Sequence, residues 1–416
     1  MENTDIPAKA DPFFREDVPS YVSSACVYDF NLFDPQYGSL DLFASIRRLH
    51  EIGLPDIFWT RHNGGHWIAL RASAILEILK NPETFSSKRW HVPASMDYDT
   101  DFYVPFMSDP PEHTSYRQIA RVLFSPKRIL RLEAGIRAFT ASLIDELSAD
   151  GRCDFVADFA RHMPVVVFLG LLDLPVEDRP HLLTIAEKVT RPPGKGHNRN
   201  DAFKAILDYL GPILEERRAN PGEDILSELV HSKKQSGEPL SKDELYGMAA
   251  VLLTGGLDTV ASSLCFMARY LAEEPAQRRR LIEDKAVILN AIEEMLRRFA
   301  VVTRGRRLAK DVVFNGTEMK SNDRIVWGTA MYGLDDRVNA QPLEVNFNRS
   351  RIQHEAFGYG IHFCIGAPLA RLEFKIFLEE WLKRIPNFWI EPGITPEYRP
   401  GIIIGLKTLP LRWNVQ

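Results

Sequence analysis

Cys364 stands inside the segment FGYGIHFCIGAPLARLE, residues 357–373, with glycines at 358, 360 and 366 around it. Glycine permits the positive-φ turns that let several backbone N–H groups converge on one point. Ala367-Pro368 followed by LARLE reads as a helix start with proline in its first turn. A thiolate placed there is stabilised by the helix N-terminus and by the converging donors, so the segment reads as a loop built for an ionised sulfur. A dinucleotide-binding reading of Gly-Tyr-Gly fails, because the third glycine is misplaced and no ribose-binding acid follows at the right distance. With no second metal-binding residue beside the cysteine, the metal's other positions must be filled by a macrocycle. Haem iron with a cysteine axial ligand meets that requirement.

The other cysteines, Cys26, Cys153 and Cys265, are far apart and form no CxxC pair. They are expected to be core fillers, and neither structural zinc nor a disulfide framework follows. The 416 residues carry 51 Lys plus Arg against 56 Asp plus Glu, a formal charge of -5. That gives no overall basic field for nucleic acid. The start, MENTDIPAKADPFFRED, is polar and acidic where a signal peptide would be basic and then apolar. The most apolar stretch, 163–172, is about half the ~20 residues that span a bilayer. A soluble, cytoplasmic monomer with no membrane or nucleic-acid partner is expected.

The length allows two or three domains or one large one. No composition break marks a boundary, so residues 1–416 are read as a single domain with a loop-rich start over 1–55. Apolar residues recur at three- and four-residue spacing through 129–147, 202–217, 242–273 and 276–299, which predicts helices. Strand patterns occupy 57–61 and 66–70, joined at Asn63-Gly64-Gly65, and later 311–314, 324–327 and 402–412. The fold class is mainly α, a large helical body with small antiparallel sheets near both ends. The predicted helix 242–273 is long enough, at ~1.5 Å per residue, to cross the molecule. Inside it Gly255 and Gly256 each cost about 1 kcal/mol relative to Ala. They mark either a close helix crossing or a local widening of the helix.

FGYGIHFCIG resembles the haem-binding loop of the cytochrome P-450 superfamily, and three further signatures follow the family order. Glu294-Met295-Leu296-Arg297 resembles its Glu-x-x-Arg pair, LTGGLDTV (253–260) its oxygen-activation helix, and His113-Thr114-Ser115-Tyr116-Arg117 its haem-propionate motif. The resemblance implies the P-450 fold, with haem b held between the long helix and the loop, and Cys364 as axial ligand of the iron. It also implies a monooxygenase in which Thr259 hydrogen-bonds the activated dioxygen and Asp258 supports proton delivery. His113, Arg117, Arg306 and His362 would hold the propionates, and Phe357 would pack against the haem. Glu294, Arg297, Arg349 and His354 would be structural. Arg304 is a departure, since relatives carry an acid there.

From Gly64 onward the chain resembles bacterial camphor 5-monooxygenase and its relatives, in GGHWIAL, SDPPEHTSYR, VTRPPG and GLDDRVNAQP among other segments. By position this nominates His91, Tyr98, Val189, Thr190, Val251, Thr254, Gly255, Val302 and Ile403 as substrate contacts. Most are aliphatic and suit a terpenoid-sized hydrocarbon. The ketone-binding tyrosine of the relatives falls on Thr100 or Asp101, and only a redrawn loop would let Tyr98 or Tyr103 replace it. A related monoterpenoid or norisoprenoid, camphor-like or ionone-like, is therefore expected. No flavin or nicotinamide fingerprint is present, so electrons come from another protein. By resemblance this is a two-iron two-sulfur ferredoxin fed by an FAD-containing, NADH-dependent reductase, docking near Arg117 and Arg121. A haem-thiolate enzyme that uses peroxide directly or isomerises its substrate is the alternative, and a non-enzymatic haem sensor a weaker one. The Asp258-Thr259 pair speaks against both.

Overall fold

The computed structural model describes residues 11–34, 41–97, 103–190 and 199–415, with side chains over the same residues except 186–190 and 199–203. The helices are α1 (Leu42–Glu51), α2 (Ala72–Lys80), α3 (Glu112–Leu123), α4 (Pro126–Ser148), α5 (His162–Leu172), α6 (Arg179–Thr190), α7 (Arg199–Ala219), α8 (Ile225–Val230), α9 (Lys242–Thr254), α10 (Leu257–Glu273), α11 (Pro275–Glu283), α12 (Ile288–Arg298), α13 (Thr329–Gly333) and α14 (Ala367–Arg384). The strands are β1 (Ile57–Thr60), β2 (His66–Ala69), β3 (Phe85–Ser86), β4 (Arg152–Asp154), β5 (Thr303–Leu308), β6 (Val312–Phe314), β7 (Thr317–Met319), β8 (Arg324–Gly328), β9 (Phe388–Ile390), β10 (Tyr398–Arg399), β11 (Gly405–Leu406) and β12 (Pro410–Trp413).

Helix α12 shows how pattern becomes packing. Ile288, Ala291, Ile292, Met295 and Leu296 fall at three- and four-residue spacing and are all buried, the stripe expected of a helix seated on a core. Its predicted span, 276–299, is divided at Asp284, whose backbone is extended and whose carboxylate accepts from Ala286 N–H at 3.0 Å. A side chain that caps a new turn ends the old one. Helix α9 begins with a reciprocal capping box between Ser241 and Glu244. Helix α10 is buried on nearly every face from Val260 to Ala268, as a central helix must be.

The sheets depart from the expectation. β1 and β2 do not form a separate N-terminal hairpin sheet; the order β1-β2-β8-β5-β3 joins both ends of the chain, and β2 runs parallel to β8 with Trp67 opposite Ile325. β5 carries three arginines in TRGRRL and gives no alternating apolar signal, so its strand character comes from its neighbours. The predicted strand 402–412 divides into β11 and β12, which belong to different sheets. Two helical stretches, Phe155–Leu172 and Lys242–Glu273, are apolar and long enough to cross a bilayer, and 67% of each window is buried inside the fold. The first exceeds the ten-residue run read from sequence, because the turn before α5 extends it.

The predicted long helix 242–273 is interrupted at Gly255 and Gly256, between α9 and α10. Close crossing explains Gly256: a Cβ there would lie 2.2 Å from the Phe168 ring. Gly256→Ala should therefore cost about 1–3 kcal/mol by overpacking, read as a lower thermal midpoint. Adding Phe168→Ala should relieve the clash, so the double variant should fall short of the sum of the two single losses. Unaltered melting of Gly256→Ala would refute this packing account.

Candidate active site

Gly358 (φ +76) and Gly360 (φ +68) supply the left-handed turns of the cysteine loop. Gly366 does not; with φ -80 it is the N-cap of α14, and a Cβ there would make only ordinary contact with Cys364 Sγ, at 3.9 Å. Cys364 N–H donates to the Phe357 carbonyl at 2.7 Å. Burial pushes the Cys364 thiol up, while Arg304, the Gly366 N–H, Arg117 and the Ala367 N–H pull it down. The loop thus surrounds the sulfur with positive and donor groups.

The sulfur opens onto an internal cavity. Phe357, Val251, Gly255, Thr259 and Val302 line it, and His113, Arg117, Arg304 and His362 gather at one end. The two imidazoles lie 4.2 Å apart, centroid to centroid. Burial and the charge of Arg117 hold His113 down to about 4, and burial with Arg306 and His113 holds His362 down to about 2, so both rings are neutral at neutral pH. His362 Nε2 lies 2.9 Å from Ser87 Oγ, whereas His113 Nε2 and Arg117 Nε are buried without a hydrogen-bond partner. Arg306 sits behind this wall, buried over the Trp327 ring, and burial holds its guanidinium down to about 10. Unspent buried donors at one end of an otherwise apolar cavity, with a thiol on its wall, fit a planar macrocycle that carries two carboxylates.

The family model for cytochrome P450 matches residues 177–393. A probable cytochrome P450 127A1 from Sinorhizobium fredii is 33% identical over 405 residues, covering 95% of this chain and 97% of its own. The chain belongs to the cytochrome P450 family. Cytochrome P450 monooxygenase PikC from Streptomyces venezuelae is 32% identical over 313 residues, 74% of this chain and 75% of its own. The crystal structure of CYP101J2 superposes with a TM-score of 0.89 at 35% identity, covering 96% of this chain and all of that one. The protein is thus a P450 monooxygenase that uses haem, dioxygen and a redox partner.

In this P450, Thr259 Oγ1 donates to the Gly255 carbonyl at 3.0 Å, at the break between α9 and α10. Asp258 Oδ1 accepts from Arg399 Nη2 at 2.6 Å, and its Oδ2 is buried without a partner. Burial pushes this carboxyl up, with Arg399 and Arg161 pulling it back. Such a group can exchange protons nearer neutrality than an exposed aspartate.

The Glu294 and Arg297 side chains are fully buried and paired through two hydrogen bonds of 2.8 and 2.9 Å. Arg297 also donates to the carbonyls of Gly333, Pro342 and Glu344, and Arg349 Nε lies 3.1 Å from both Glu294 oxygens. His354 differs from the expected grouping. Its Nε2 lies 3.1 Å from Glu293 Oε2, and Glu293 also binds Arg371, whose guanidinium stacks on Phe357 at 4.5 Å.

Of the expected substrate contacts, Val251, Gly255 and Val302 line the cavity. His91 does not: it stacks on Trp90 at 4.4 Å, and its Nδ1 faces Asp97 at 3.3 Å. Thr254 and Ile403 are also off the described lining. The Thr254 hydroxyl donates to the Ala250 carbonyl and meets Tyr103 Oη, and Ile403 pairs with Val302 from behind. Tyr98, Thr100 and Asp101 lie outside the described residues, as do the side chains of Val189 and Thr190. Sequence reasoning missed Phe106, Phe168 and Glu373 on the lining. Glu373 is a buried acid on the apolar face of α14, raised well above its ordinary value by burial alone, and one acid within LARLE gives no warning of that.

Burial would raise Glu293, but Arg371 and His354 outweigh it and hold the carboxylate at about 2. A depressed carboxylate stabilises the fold above its unfolded value and loses that contribution as pH falls towards its folded one. Acid unfolding should accordingly lose stability between about pH 4.5 and 2, and Glu293→Gln should flatten the slope of unfolding free energy against pH across that window. An identical slope in variant and parent would show that this cluster carries no such linkage.

Proposed function

We propose that this P450 hydroxylates a small apolar terpenoid or norisoprenoid, camphor-like or ionone-like, with Cys364 as the axial thiolate of haem b. The observation that carries the substrate class is the aliphatic set Met248, Val251, Leu252, Val301 and Val302 on the same cavity lining as Thr259. A wall with so few polar groups favours a compact hydrocarbon and leaves regiochemistry to shape. The Tyr103 and Thr254 hydroxyls are spent on each other and on the Ala250 carbonyl, off the cavity lining, so the wall itself keeps its apolar character. The segments shared with camphor 5-monooxygenase support the same size class.

Bound haem supplies the oxygen chemistry, with the thiolate donating electron density to the iron. The residues of this chain do the rest. His113, Arg117, Arg306 and His362 form the basic end that takes the propionates, Arg306 from behind the wall. Phe357 packs beside the macrocycle, and Glu294, Arg297, Arg349 and His354 fix the approach to the cysteine loop. Thr259 offers a hydroxyl at the helix break, and Asp258, held by Arg399 through one oxygen, keeps the other for passing protons inward.

Electrons come in this reading from a two-iron two-sulfur ferredoxin served by an FAD-containing, NADH-dependent reductase. The cysteine loop presents exposed Tyr359, Ile361 and Phe363, with Arg117 bound to the Phe363 carbonyl and Arg121 on the next turn of α3. An apolar centre with basic neighbours suits an acidic partner.

Reduced protein under carbon monoxide should show the long-wavelength Soret band that names the family, and Cys364→His should abolish it; a short-wavelength band in intact parent protein would remove thiolate ligation. Thr259→Ala should consume several-fold more NADH per product formed, and unchanged coupling would remove its role. Type I spectral shifts should appear with terpenoid ketones and alcohols, and shifts confined to aromatic acids would overturn the substrate class.

A further inference from the structure

Arg304 lies on β5 opposite Trp327 of β8, and both turn towards Glu355, nine residues before the ligand cysteine. Trp327 Nε1 donates to Glu355 Oε2 at 3.1 Å, and Arg304 Nε lies 3.2 Å from Glu355 Oε1. The Glu355 side chain is 1% exposed and that of Arg304 14%. On its other side the guanidinium presses on Gly358, where a Cβ would come within 3.0 to 3.1 Å of three of its atoms. Arg304 lines the cavity, while Glu355 stands behind it. Among the described residues Arg304 makes no hydrogen bond, so its Nη donors remain unspent.

Burying a carboxylate is costly, and an apolar side chain beside Trp327 would pack there without that cost. Its neighbourhood explains what it balances. Arg117, Arg304 and Arg306 gather at the basic end; the carboxylates that act on Arg306 are Glu355 and Asp109, the latter held by Ser86 and the Ser87 N–H, while Glu373 lines the same cavity from α14. We infer that Glu355 is a built-in counter-anion that lowers the one-electron reduction potential of the bound haem, with Arg304 as the cation it positions at the cavity wall.

The electrostatics are direct. Reduction of ferric to ferrous haem adds one electron, delivered by the redox partner and accompanied by no bond change in the protein. Each nearby cation favours that added negative charge and each nearby anion opposes it. Three guanidinium groups alone would bias the haem towards the ferrous state; Glu355 offsets part of that bias while keeping the Arg304 donors aimed inward. The inference rests on the haem seat described above.

The test is dye-mediated potentiometric titration of the purified holoenzyme. Glu355→Gln should raise the potential so that the ferrous-to-ferric ratio at a fixed applied potential increases about tenfold, ~59 mV for one electron. Glu355→Asp, which keeps the charge, should stay near the parent. Glu355→Gln combined with Arg304→Gln should fall back below Glu355→Gln alone. Haem transfer to apomyoglobin gives a second readout: faster loss from Glu355→Gln with an unmoved potential would make Glu355 mere scaffolding and overturn the inference. If Glu355→Gln does not fold, a Glu355→Asp potential shifted as far as a neutral substitution should shift it would overturn it equally. Loss of the carbon monoxide band in the parent protein would instead sink the haem-seat reading.

Discussion

The buried pair of Glu294 and Arg297 is the interaction on which the rest of the structure leans. A guanidinium with no exposure must spend its donors, and Arg297 spends them on Glu294 and on the carbonyls of Gly333, Pro342 and Glu344. Glu294 in turn takes the Asn346 N–H and Arg349. One ion pair on α12 therefore fixes a long irregular stretch that has no ladder of its own. Gly333 shows how tight the fit is, since a Cβ there would lie 2.2 Å from the Arg297 carbonyl oxygen. Removing either charge would strand the other in the core, a loss of about 3–5 kcal/mol, and would release the path that leads to the cysteine loop.

Around the cavity the chain solves two opposed electrostatic problems within a short distance. The sulfur needs donors and positive potential, which Gly366, Ala367, Arg304 and Arg117 supply. Burial disfavours the charged forms and the neighbouring cations add repulsion, which is why Arg306 is held down to about 10 and why both histidines are neutral. The site is thus assembled from groups whose charges are individually unfavourable and jointly suited to an anionic ligand on one side and a thiolate on the other.

What could be read from sequence was whatever is encoded locally. The cysteine loop was legible because glycine, proline and cysteine each impose a backbone or chemical constraint within a few residues. The helical pair at 294 and 297 was legible for the same reason, since three-residue spacing alone puts two charges on one face. β5 was not, because three arginines conceal a strand that exists only between β8 and β3. Nor was the contact of Asp258 with Arg399, or of Arg304 with Glu355: each joins distant segments, and neither partner carries a local mark. Arg304 stood out as a departure, but nothing in its own surroundings named the carboxylate that receives it. His91 failed for a related reason, since alignment gives a position along the chain and not the direction a side chain takes once Trp90 and Asp97 compete for it.

The parallel pairing of β2 with β8 has a consequence for how this molecule is made. Trp67 and Ile325 lie more than half the chain apart, and no hairpin can bring them together, so the loop between them must be ordered before the pairing is rewarded. On the ribosome, β1 and β2 emerge early with an open edge and wait for a partner encoded far downstream. That edge is a place where a nascent chain can pair with another molecule, and the interval is set by translation. β8 is followed by α13 and by the stretch that Arg297 holds, ahead of the cysteine loop, so the strand that completes the sheet and the loop that carries the sulfur are both made long after the open edge has formed.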